Sequence, residues 1–295
     1  MVHPQRTFTL GFWLVLSALP CQVWSDDPTP TVQPGIAQLQ ALSTPSAPPP
    51  ANAPALSKDD AALVAEVNGL YYNYKRQGLH KFKCEIKISM FDNMVAALKG
   101  QVSSDDPKYI ALKDVQFFMS YDEKNGMKFT YSNYKPTGDA NTDASLSKMM
   151  DGVQQIVNGF WESWKGLSFE LPIDPSKSTV TVKKTGDGYE IDETRDKLVT
   201  TNFLNADLLV TEADGRKVGG QDMVMSLKPL FLKDPNGYLL SSMVVDVPKV
   251  VNETFSLSYQ TVDKYQLPAT CDLLINVLGT QKADVTLTFS DFKLN

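Results

Sequence analysis

The chain has 295 residues, 42% of them hydrophobic, with 28 basic against 34 acidic side chains and a net charge of −6. That length accommodates one large or two small domains, and the charge argues against nucleic acid and against docking on anionic lipid head groups. With two histidines in the whole sequence, one of them His3, chemistry built on several imidazoles is excluded.

The N-terminus reads as an export signal. Arg6 supplies positive charge, Phe8 to Leu19 is apolar, and Val23-Trp24-Ser25 completes a cleavage site after Pro20. The apolar run is shorter than the ~20 residues a bilayer span requires. The alternative is an uncleaved anchor. A lipoprotein box at Cys21 fits poorly, because Pro20 directly precedes the cysteine. Residues 1–25 are thus expected to leave, so the protein is expected in the periplasm or secreted, with no stable membrane span after cleavage. Residues 26–56 are rich in Pro, Ala, Thr and Ser and include Pro48-Pro49-Pro50, a composition that cannot bury enough surface to fold. They are expected to form a disordered spacer ahead of a single domain, residues 57–295.

The domain opens with a helix. Ser57 begins a capping box, and Leu63, Val64, Val67, Leu70, Tyr71 and Tyr74 recur on one helical face, with Gly78 as the expected stop. A strand follows from Lys81 to Met90, in which Phe82, Cys84, Ile86 and Ile88 alternate with polar residues and so share one buried face. Phe91 to Gly100 reads as a short helix. Val115–Tyr121 and Met127–Asn133 flank Lys124-Asn125-Gly126, a hairpin signal.

A long amphipathic helix is expected from about Asp143 to Trp164. Its apolar stripe carries Met149, Met150, Val153, Val157, Phe160, Trp161 and Trp164. Two readings stay open for it: a helix packed permanently on a sheet, or a cover whose Met/Trp face shares a cavity with an apolar ligand. From Thr179 to Leu294 alternating runs are separated by turn signals at Gly186-Asp187-Gly188, Asp214-Gly215, Asp234-Pro235-Asn236-Gly237, Gln266-Leu267-Pro268 and Gly279-Thr280. This rhythm predicts an antiparallel meander. The fold class is therefore α+β, a strongly curved antiparallel sheet or open half-barrel with two main helices over its concave face.

Once the signal is removed, Cys84 and Cys271 remain. In an oxidising compartment they are expected to form a disulfide, both lying on apolar strand faces; the alternative is two buried free thiols. No catalytic motif emerges. His80 sits between Gly78 and a strand start, where it reads as an exposed turn residue. Asp192-Glu193 and Asp105-Asp106 fall where acidic residues are common, and no phosphate loop or GxSxG is present. Asn252-Glu253-Thr254 is a formal glycosylation sequon. No metal site, cofactor or catalytic residue is assigned.

The element order, with Tyr265-Gln266-Leu267-Pro268 and the closing run Val285 to Asn295, resembles the periplasmic lipoprotein-carrier (LolA/LppX-like) superfamily. The stretch Tyr71-Tyr72, Gly78-Leu79 and Phe82-Lys83-Cys84 looks like a family of exported bacterial proteins. The resemblance implies an unclosed barrel whose helices cover an apolar cavity for acyl chains. The expected function is an exported, non-enzymatic binding protein for a lipid or other apolar small molecule. Phe82, Ile86 and Ile88 are expected to line the cavity, faced by Met150, Val157, Phe160 and Trp161. The competing expectation is an envelope module with a solid core and no ligand. Nothing in the sequence fixes the oligomeric state.

Overall fold

The computed structural model describes residues 56–220, 222–277 and 281–294. The expected signal, the spacer up to residue 55 and the Gly279-Thr280 turn lie outside them. Twelve strands form one sheet in the order β3-β2-β1-β12-β11-β10-β9-β8-β7-β6-β5-β4, and each neighbouring pair is antiparallel. The sheet is not closed: β3 (Gly126–Ser132) and β4 (Thr179–Thr185) are its two free edges.

The order has a simple origin. Strand β1 (Lys81–Ile88) alternates exposed and buried residues as expected, and pairs on one side with β2 (Gln116–Asp122), the next strand in the chain. On its other side it pairs with β12 (Gln281–Leu294), the last strand of the chain. From there β11 (Tyr265–Val277), β10 (Val251–Val262), β9 (Gly237–Val247), β8 (Met223–Asp234), β7 (Val210–Lys217), β6 (Leu198–Leu204) and β5 (Gly188–Arg195) run back through a meander to β4. Open sheets beyond ~10 strands curl, and bulges add local bend and twist. Here the register shifts in β1–β12, β10–β11, β6–β7, β7–β8 and β8–β9.

Four helices complete the described residues: α1 (Lys58–Leu70), α2 (Ser89–Gln101), α3 (Pro107–Leu112) and α4 (Ala140–Ser168). The Ser57 side chain accepts from the Asp60 amide and starts α1, as its sequence predicts. The helix ends earlier than expected, because the three tyrosines that follow serve another purpose. Tyr71, Tyr72 and Tyr74 are fully buried in extended and turn backbone, and their hydroxyls meet main-chain groups of distant strands. Tyr71 Oη accepts from the Val210 amide at 2.8 Å, Tyr72 Oη accepts from Gln266 N at 3.1 Å, and Tyr74 Oη donates to Gln266 O. Helical spacing and this strapping arrangement bury the same residues, so periodicity alone could not separate them. Gly78 does have positive φ, at +88°, but in a turn beyond the helix.

Helix α3 was not foreseen. Asp106 caps it by accepting from Lys108 N at 2.8 Å, and Pro107 occupies its first turn. Two predicted turns are instead strand interior. Asp214-Gly215 lies within β7 and is buried, and Gln266-Leu267-Pro268 lies within β11, where Pro268 sits beside the β10–β11 register shift. A bulge accommodates a residue that has no N–H for the ladder.

The expected Cys84–Cys271 disulfide is also corrected: both are buried free thiols. Cys271 pairs with Leu287 on β12, and Leu287 pairs with Ile88 on β1, further along that strand than Cys84. The two cysteines are thus two strand spacings apart, about 10 Å, with a further ~13 Å of offset along the strand. A disulfide needs Cα atoms within ~7 Å. Sharing an interior is a weaker condition than sharing a contact. Burial pushes the Cys84 thiol up to about 12, so it stays protonated and unreactive.

Two outcomes are expected. Cys84 and Cys271 should both alkylate in unfolded protein without reductant, and reductant should leave the unfolding midpoint unchanged. Gly237→Ala should destabilise the fold by ~2–4 kcal/mol in urea titration, since Gly237 has φ +128° and an added Cβ would lie 2.7 Å from Tyr72 N.

Candidate binding face

The inner face of the sheet is apolar because the buried half of each alternating strand points to it. Across β1, β2 and β12 it presents Phe82, Ile86, Ile88, Phe117, Met119, Tyr121 and Phe289. Helix α4 closes over this region. Asp139 caps its start by accepting from Thr142 N at 2.8 Å. Asp143 gathers Thr137 N and Oγ1, both at 2.8 Å, and Gly138 N at 3.2 Å, and these hydrogen bonds hold both carboxyls below the usual range.

The covering face is largely aromatic. The Trp161 ring lies 5.2 Å from Tyr121 and 6.2 Å from Phe82, and Phe160 lies 4.9 Å from Phe289. Trp164 packs edge-on against Phe82 at 6.3 Å and Tyr74 at 5.2 Å. Such pairs contribute ~0.5–1.5 kcal/mol each beyond the area they bury. Past the helix, Phe169 stacks on Tyr74 at 4.8 Å. The buried Asn68 amide of α1 then brackets Ile173, accepting from its N at 3.1 Å and donating to its O at 2.7 Å. Helix α2 covers the neighbouring corner through Phe91, whose ring meets Phe117 at 4.8 Å.

All seven residues expected to line a cavity, Phe82, Ile86, Ile88, Met150, Val157, Phe160 and Trp161, are buried and belong to one packed core. They are brought together, and they fill the space between helix and sheet. Two hollows open elsewhere on the surface. One, of about 550 Å³, is lined by polar and charged residues around Lys113, Gln116 and Lys135; the other, of about 440 Å³, lies at Gly78, Asp263, Tyr265 and Leu294. Neither is lined by any of the seven.

The acidic pairs resolve into structure. Glu193 accepts from Asp174 N and Ser178 Oγ, both at 2.9 Å, whereas Asp192 accepts from Thr201 Oγ1 at 2.6 Å. Consecutive strand residues point to opposite faces, so these two carboxyls cannot converge on one substrate. His80 is exposed, its Nδ1 2.8 Å from Glu123 Oε2. Among the described residues, no group of three or more His, Cys, Asp or Glu side chains could hold a metal, and no helix is long and apolar enough to cross a membrane.

One residue was missed. Glu253 stands on the inner face of β10, 5% exposed, and its Oε2 has no hydrogen-bond partner. Its rank across the sheet reads Ala283, Ile275, Glu253, Val245, Leu227, Ala213 from β12 to β7. The signal was available: Phe255 and Leu257 point inward, and the same period of two sends Glu253 inward with them.

A scan of protein-family models and a search of curated proteins find no match. Among solved structures, the chain is similar to a LolA superfamily protein from Nitrosomonas europaea, with 7% identity over 82% of this chain and 94% of that one and a TM-score of 0.27. So low a score carries no argument, and the fold rests on the sheet order and helix placement described above.

Burial alone raises the Glu253 pKa from 4.5 to about 8. The folded state therefore binds the proton more tightly than the unfolded chain, and stability should fall as pH rises from about 4.5 to about 8. Glu253→Gln should flatten that fall in thermal unfolding measured across the range.

Proposed function

We propose that this protein is an exported, non-enzymatic binding protein that holds an apolar ligand, a lipid or the acyl chains of a lipoprotein, between α4 and the inner face of its open sheet. The observation that carries the reading is the position of α4. It connects the two free edges, β3 and β4, and covers the inner face with Met and aromatic side chains. Ligand sites of this kind are mostly apolar with few polar groups.

The energetics of opening support it. Gly152, Gly159 and Gly166 recur along α4, and each weakens an isolated helix by ~1 kcal/mol relative to Ala. The helix therefore depends on its contacts with the sheet. Acyl chains entering between them would exchange one apolar contact for another, which involves little loss of burial. Residues 1–25 would direct export and leave, and residues 26–56 would form a spacer ahead of the domain.

The filled interior favours a second reading, an envelope interaction module with a solid core. Native mass spectrometry of the purified protein separates the two when combined with tryptophan fluorescence. Incubation with oleate, phosphatidylglycerol or a triacylated lipopeptide should give a bound acyl species and a shifted emission from Trp161 and Trp164. Protein that stays bare with all three would refute the binding reading and leave the solid module.

A further inference from the structure

Burying a carboxyl among apolar side chains without a partner is unfavourable, and each such group in a native fold calls for an explanation. Glu253 is one. Val245, Val251, Phe255 and Ile275 flank it along its own strand and on the two adjacent strands. The packing of the inner face also breaks at this point. Phe255 and Val245 belong to the main core, whereas Val251, Val247 and Ile275 form a separate small cluster. Glu253 thus stands where two packed groups meet without merging, with Oε2 buried and unmatched.

We propose that Glu253 is the polar contact point of this interior, donating a hydrogen bond to the uncharged carbonyl of an acyl ester or amide. The inference rests on the binding reading above and names the head-group class. In so apolar a setting the carboxyl is held in its protonated form at neutral pH, and a protonated carboxyl offers one O–H donor. A carbonyl oxygen would match that donor without bringing charge into the wall. A fatty-acid carboxylate would bring a second acid into the same low-dielectric site, and an ammonium would require both partners to be desolvated as ions. Cys271 on β11 is a titratable group that senses Glu253, and burial holds its thiol neutral.

The test is a calorimetric titration of the full chain with monolauroylglycerol, lauric acid and dodecylamine, each below its aggregation threshold. The ester should bind at neutral pH at least tenfold more tightly than the acid or the amine. Its affinity should weaken about thirtyfold between pH 6.5 and 9.5, the factor expected for loss of a proton from a group titrating near 8. Glu253→Gln, which keeps an N–H donor, should bind the ester with no such pH dependence, and Glu253→Leu should lose the preference for ester over acid. Binding of all three ligands with equal affinity, tighter binding of the amine, or a wild-type pH profile matching that of Glu253→Gln would overturn the proposal while leaving apolar binding intact. Failure of every ligand to bind would overturn both readings.

Discussion

The structure depends on one pairing, that of β1 with β12. It joins the first strand of the domain to the last, over a sequence separation of about two hundred residues, and so fixes where every other strand must lie. Closing so long a loop has an entropic cost, though that cost grows only with the logarithm of loop length. What offsets it is burial: Phe82, Ile86 and Ile88 on one strand and Leu287 and Phe289 on the other all lie within the core. Ser89 adds a side-chain bond just beyond the strand, its Oγ accepting from Thr286 N at 2.8 Å.

From that pairing the place of α4 follows. The β2–β3 hairpin beside β1 extends one side of the sheet and the meander from β12 back to β4 extends the other, so the segment between β3 and β4 must travel from edge to edge. Twelve strands laid flat would separate the outer two by ~53 Å at the usual spacing. A helix of 29 residues spans ~44 Å. Curling the sheet lets the connection fit while the helix covers the face it crosses. Its aromatic stripe is thus a consequence of topology as much as of amphipathicity.

The polar groups inside show two kinds of economy. Tyr71, Tyr72 and Tyr74 carry large apolar bodies into the core, and each hydroxyl meets a main-chain group there. Asn68 does the same for Ile173 with both ends of its amide. Glu253 differs from these: its Oε2 is buried with no hydrogen-bond partner, a state it shares among the described residues with a few other atoms, such as Asp214 Oδ1 and Asn276 Oδ1. What sets it apart as a candidate for function is its setting, a carboxyl on the inner face flanked by Val245, Val251, Phe255 and Ile275.

Much of the fold was legible in the sequence. The inward set of β1, the Asn125-Gly126 hairpin, the long amphipathic helix and the meander all follow from local period and turn chemistry, which act over a few residues. The seven inward residues of the candidate face were legible for the same reason, since alternation and helical stripe assign a side chain to the buried side. Only the tertiary structure decided what those buried residues touch. Cys84 and Cys271 share an interior yet lie two strands apart, the tyrosines after Leu70 belong to a strap and not to a helix, and Pro268 marks a bulge and not a turn. Periodicity fixes the direction in which a side chain points, whereas its partner depends on strand order and register, which long-range pairing sets.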